Sequence, residues 1–111
     1  MDPVSAALIQ KALEGLNRRF QFTAQNIANA NTPDYAPIRV EFEQELARAA
    51  GRGVDAINAV APRAVAAAEP EGMRLDLELA TASQTAARYR ALIDIMGRQM
   101  ALHRAVVTGG R

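Results

Sequence analysis

The chain has 111 residues, a formal net charge of +1, 50% apolar residues, and neither cysteine nor tryptophan. That length suits one small domain with a modest core. Lack of cysteine excludes disulfides, thiolate metal sites and a cysteine nucleophile, and the balanced charge argues against a nucleic-acid or strongly acidic partner. Twenty-four of the apolar residues are alanine, which favours helix but buries little surface.

The segment Met1 to Lys11 has no basic start followed by an unbroken apolar run, so it does not read as a secretory signal peptide. No stretch approaches the roughly 18 uninterrupted apolar residues that would span a bilayer. Asp2 followed by Pro3 reads as a helix start, with a carboxylate able to accept backbone N–H groups and a proline where its missing donor does no harm. Ala6, Ile9, Leu13, Leu16, Phe20, Thr23, Ile27 and Ala30 then alternate steps of three and four, the period of a coiled-coil seam. A helix of that extent is roughly 40 Å long. Pro33 pushes Thr32 out of the helical region, and Asn29 and Asn31 tolerate the left-handed conformation that closes a helix, so the helix should stop near Ala30.

Ile38 to Glu43 alternates apolar and polar residues, while Phe42, Leu46 and Ala49 share a helical face, which predicts an extended stretch leading into a short helix. Residues 50–72 carry Gly51, Gly53, Pro62, Pro70 and Gly72 among alanines, and no apolar period survives there. They read as a flexible linker. The period returns at Leu75, Leu79, Ala82, Ala86, Tyr89, Ile93, Met96, Met100, His103 and Val107, with Leu92, Ile95, Leu102 and Val106 as an adjacent row. That stripe is broader than one partner helix covers. Gly97 within it permits close backbone approach by a neighbour. The expected fold class is therefore all-α: residues 1–49 form a long helix, a turn and a short segment, 50–72 a linker, and 73–111 a second long helix that packs back on the first.

One histidine, two serines and no cysteine give little material for a nucleophile, base and orienting group, so an enzyme is not expected. His103 lies on the apolar seam and reads as a packed residue. Asp76 and Glu78 diverge on a helix, and Glu41, Glu43 and Glu45 share a face only on a strand, so neither set makes a metal site. No glycine-rich phosphate loop is present, and no cofactor or small-molecule substrate is implied. Arg18 and Arg19, or Arg88 and Arg90, could touch nucleic acid, but nearby acids and the missing aromatic platform count against it. What remains is association, because leucine-sized side chains left uncovered forfeit about 1.5 to 3 kcal/mol each and further subunits would cover them. The plain alternative is a self-contained helical hairpin.

The run Asn26-Ile27-Ala28-Asn29-Ala30-Asn31-Thr32-Pro33, with Tyr35 two positions on, resembles the signature of the bacterial flagellar basal-body rod proteins. Val40-Glu41-Phe42 with Leu46, and Leu75-Asp76-Leu77-Glu78 opening the last helix, are similar to the proximal-rod branch of that family, and the short middle disfavours its distal-rod and hook relatives. This chain has Asp34 where family members commonly have glycine, Ala36 where they have a basic residue, and Thr85 where an asparagine is common. The resemblance implies a structural subunit of the cell-proximal rod, located in the periplasmic part of the basal body and carried there by the flagellar type III export apparatus. It implies as partners copies of the chain, other rod subunits, a rod adaptor protein, the membrane ring and the export gate. A soluble helical adaptor or chaperone of the export system is the alternative. Ile9, Leu13, Leu16, Phe20 and Ile27 against Tyr89, Ile93, Met96 and Met100 are the expected packing seam, Leu92 and Ile95 the expected assembly surface, and Asn26, Asn29, Asn31, Pro33 and Tyr35 the expected turn.

Overall fold

In a computed structural model that describes residues 1–68 and 72–109, two long helices lie antiparallel and the middle of the chain packs on one side of them. The first, α1 (Pro3–Ala28), starts where the sequence predicts: Asp2 Oδ1 accepts from the Ser5 amide at 2.8 Å, and Pro3 occupies the first turn. The last, α4 (Leu75–Gly109), has 35 residues and is therefore about 52 Å long. Asn26 meets Glu78 at one end of the pair, and Ala6 meets Met100 in a shared groove near the other. The Cα radius of gyration is 17.5 Å, against about 13 Å for a compact domain of this length, so the fold is elongated.

After α1 the chain turns through residues 29–37 into β1 (Ile38–Glu41), then α2 (Glu43–Ala50), as the pattern predicts. Glu43 and Glu45 in the first turn of α2 and Arg48 in its last suit the helix dipole. Residues 50–68, expected as part of a linker without elements, instead carry α3 (Val54–Asn58) and β2 (Arg63–Ala66). Strand β2 pairs antiparallel with β1, Ile38 opposite Ala66 and Glu41 opposite Arg63. The all-α expectation is corrected accordingly: the fold is mostly helical with a small two-stranded sheet. Gly53, at φ 96°, makes the turn that lets α3 fold under α2, a conformation that disfavours residues with a Cβ.

The core lies between α1 and this middle layer. Leu16 and Ala7 from α1 meet Val40 and Phe42, Leu46 and Ala49 of α2, and Ile57 and Val60 from the α3 region, with Leu92 of α4 packed against the cluster. Ile57 is 0% exposed, and Val54 and Ala56 of the same five-residue helix pack against the cluster beside it, a contribution that no local period announces. Gly15 makes the α1–α2 approach possible: a Cβ there would fall 2.5 Å from Phe42 Cε1. Four residues further on, Arg19 donates to both carboxylate oxygens of Glu43 at 2.6 and 2.7 Å and to the Val40 carbonyl at 2.6 Å. Its guanidinium also lies 5.0 Å from the Phe42 ring centroid.

Candidate functional site

The turn after α1 is organised by Asn26, which is 0% exposed and uses its whole amide. Oδ1 accepts from the Tyr35 hydroxyl and from the Ile38 amide, both at 2.9 Å, while Nδ2 donates to the Ile38 carbonyl at 3.0 Å and to Glu78 Oε2 at 3.3 Å. A primary amide can bond both backbone groups of one strand residue, as a neighbouring strand would. Asn26 therefore completes the edge of β1 at Ile38, and Arg19 does the same at the Val40 carbonyl two residues on. Side chains of α1 thus take the place of a neighbouring strand at three backbone groups on this side of β1.

Asn29 caps α1. Its backbone N–H reaches Gln25 and Asn26 carbonyls, Nδ2 donates to Gln25 O at 2.9 Å, and Oδ1 accepts from the Thr32 hydroxyl at 3.0 Å. Asn31 and Pro33 are exposed, and Tyr35 is half-buried through its bond to Asn26. The left-handed residue is neither Asn29, whose φ is −103°, nor Asn31; it is Asp34 at φ 60°. Asn29 closes the helix by hydrogen bonding instead, and the backbone reversal falls past Pro33.

Glu78 is the second buried polar group here, 1% exposed, and it forms an ion pair with Arg39 of β1 in addition to its bond from Asn26. In the sequence Glu78 reads only as a poor metal ligand, and its pairing with Arg39 of β1 leaves no local mark. The available signal was its position seven residues before Thr85 and fourteen before Leu92, on the row of α4 that faces inward. Thr85 is buried on that row and Leu92 is half-buried.

The expected packing seam is distributed unevenly. Leu16, Phe20, Tyr89 and Ile93 line one groove between α1 and α4, but of these only Leu16 is buried and Phe20 is 44% exposed. Ile9, Leu13 and Ile27 are half-buried. Met96 and Met100 meet Ala6 in the groove at the other end, where His103, expected as a packed residue, is exposed. On the opposite flank of the α1–α4 seam, Leu8, Ala12, Leu46, Ala50 and Leu92 line a second, apolar groove. Ile95 is 45% exposed.

The apolar rows beside the inward row of α4 thus stay open to solvent, Ile93 and Met100 on one side, Ile95, Leu102 and Val106 on the other. Counting along antiparallel helices from the Asn26–Glu78 bond sets Pro3 near Ala101, so the last turns of α4 run past the start of α1. A cluster of exposed apolar side chains on a helix end is a surface for association. Among the described residues no group of histidine, aspartate and glutamate is placed to hold a metal ion, and no helix is long and apolar enough to cross a membrane.

Over 63 residues the chain is 41% identical to the flagellar basal body rod protein FlgB of Escherichia coli (strain K12), and to the same degree to FlgB of Shigella flexneri. Each match covers 55% of this chain and 46% of the relative, so the chain spans about half the length of the curated relatives it matches. No protein-family model matches. The likeness to the flagellar basal-body rod proteins, and to FlgB among them, is thereby carried by named homologues as well as by the motif at Asn26 to Tyr35.

Proposed function

We propose that the chain is a structural subunit of the proximal rod of the bacterial flagellar basal body, assembling with copies of itself and with other rod subunits through its terminal helices and transmitting torque from motor to hook and filament. The observation that carries this reading is the open apolar end of α4, where Met100, Leu102, Val106 and Val107 are all more than half exposed. One chain cannot cover both flanks of that helix, whereas subunits stacked around an axis can. The rod adaptor, the membrane ring and the export gate are the further partners of such a subunit. Its role is mechanical and involves no catalysis. The turn at Asn26 to Tyr35 suits it, because a fully bonded amide fixes the angle at which the chain leaves α1 and lets the helices bear load as a unit.

Export by the flagellar type III apparatus is the route this reading requires, and helices whose apolar flanks are covered only beside neighbours suit a chain that travels unfolded and orders on arrival. Hook–basal bodies isolated from flagellated cells carrying an epitope-tagged chain test the proposal. The tag should co-purify with the rod. A tag that stays in the cytoplasmic fraction, bound to another exported protein, would replace this reading with that of an export adaptor or chaperone.

A further inference from the structure

The apolar part of the α1–α4 contact does little to fix how far one helix is slid along the other. The inward row of α4 falls at Glu78, Thr85, Leu92 and Gln99, seven residues apart, and the α1 residues that share grooves with α4 include the small Ala6 and Ala12. Positions repeating at that interval meet a similar surface after a slide of one heptad, about 10 Å along the axis. Non-directional burial scarcely separates such states.

Glu78 does separate them. Its carboxylate is buried, pairs with Arg39 through Oε1 and accepts from Asn26 Nδ2 through Oε2. Arg39 in turn belongs to β1, whose position on α1 is fixed by the bonds of Asn26 to Ile38 and of Arg19 to the Val40 carbonyl. A slide of one heptad would set Thr85 or the residues before Leu75 opposite Asn26 and take the Glu78 carboxylate away from both Arg39 and Asn26. Breaking a buried pair in that way is far costlier than replacing both partners with apolar groups.

We infer that Glu78, with Arg39 and Asn26, is the register key of the helical hairpin: it selects which turn of α4 lies beside which turn of α1, and so how far the apolar end of α4 projects. This holds for the isolated chain whether or not it builds a rod. A polar group that specifies register at a cost in stability is a well-attested use of buried polarity in paired helices.

The chain has no cysteine, so cysteines at the exposed positions Gln10 and Ser83 can carry spin labels without interference, and their separation reads the register directly. With the native pair in place a single distance is expected. Arg39→Met with Glu78→Leu should keep the helical circular-dichroism signal and add a second distance, displaced by up to about 10 Å for one heptad. Glu78→Gln, which keeps an acceptor for Asn26 but loses the ion pair, should add a smaller second population. Leu92→Ala should lower stability and keep one distance, because it touches only the apolar seam. A folded double variant with one unchanged distance would overturn the inference. So would a double variant that cannot fold, since the cluster would then be needed for the hairpin itself, and so would a second distance in Leu92→Ala.

Discussion

Phe42 lies against Gly15 so closely that a Cβ on the glycine would come within 2.5 to 2.7 Å of three atoms of the ring. The ring is itself buried and has the Arg19 guanidinium over one face, so it cannot step aside freely. Alanine at position 15 gains about 1 kcal/mol of helix propensity, while overpacking a filled core costs about 1–3 kcal/mol. We expect Gly15→Ala to lower stability by up to about 2 kcal/mol in urea unfolding. Gly97→Ala is the contrast: among the described residues nothing outside the helix's own backbone lies within 4 Å of a Cβ there, so the same substitution should stabilise the isolated chain by about 1 kcal/mol. If a neighbour's backbone approaches Gly97 in the assembled state, that more stable variant should nonetheless impair motility.

Asn26→Ala removes an amide that serves the Tyr35 hydroxyl, both backbone groups of Ile38 and Glu78. Orphaned buried groups cost about 1–3 kcal/mol each, partly recovered by relaxation and water, so a loss of about 3 kcal/mol is expected in chemical unfolding. Tyr35→Phe deletes only one of the four bonds and should cost about 1 kcal/mol. The double variant should be scarcely worse than Asn26→Ala alone, since the two residues act through one bond. Additive losses would place the Tyr35 contribution elsewhere.

Asp34 is the one described non-glycine residue with positive φ, at 60°. Left-handed backbone costs an ordinary L-residue about 1–2 kcal/mol, less for aspartate or asparagine. Asp34→Gly should leave stability unchanged or raise it by about 0.5 kcal/mol, and Asp34→Val should lower it by about 1–2 kcal/mol by thermal unfolding.

Much of the architecture was legible because its signals are long. The seam from Ala6 to Ala30 predicts α1 to within two residues of its observed end at Ala28, and the alternation at Ile38 followed by the Phe42–Leu46–Ala49 face predicts β1 and α2. What escaped is short or non-local. Strand β2 is four residues, two of them alanine, and is defined only by its pairing with β1, while α3 is a single turn around Ile57. The most buried row of α4 is hidden for a different reason: apolar periodicity points to Tyr89 and Ile93, which line a groove with Leu16 and Phe20, whereas that row begins with a charge, Glu78, whose partner Arg39 is 39 residues away. Periodicity counts hydrophobicity and is blind to a buried pair. The turn motif marked Asn26 as special only through its resemblance to a family, since nothing local says that its amide will complete a strand edge.

Glu43 carries the pH dependence that can be assigned. Hydrogen bonding from Arg19, and then its charge, hold the carboxyl below its ordinary 4.5, with burial acting in opposition. A carboxylate with a lowered folded pKa contributes stability that is fully present above the unfolded value and is lost as pH falls through the folded one. The loss should therefore begin near 4.5 and continue below it. Half of the Glu43 side chain is exposed, so solvent screening limits the acid-sensitive part to about 0.5 kcal/mol. Arg19→Met should lower the neutral plateau, because the Val40 carbonyl and the Phe42 ring also lose a partner, and should flatten the difference between pH 6 and pH 3.5 by about that amount. An acid limb unchanged in Arg19→Met would assign it to other carboxylates.

Leu92 and Ile95 sit three residues apart on α4 and should respond differently to aspartate. Leu92 packs against the core cluster, so Leu92→Asp should cost the isolated chain about 2 kcal/mol or more, and any motility defect would be confounded with folding. Ile95 is 45% exposed and belongs to the flank of α4 that the described residues leave open. Ile95→Asp should leave unfolding of the monomer within about 0.5 kcal/mol of the parent. If neighbouring subunits cover that flank, the same change buries an unpaired carboxylate at each contact and should abolish incorporation into basal bodies, while on the export route proposed above the chain should still appear outside the cytoplasm. Full motility of an Ile95→Asp strain would move the assembly surface to the other flank of α4, where Ile93 and Met100 are the residues to test next.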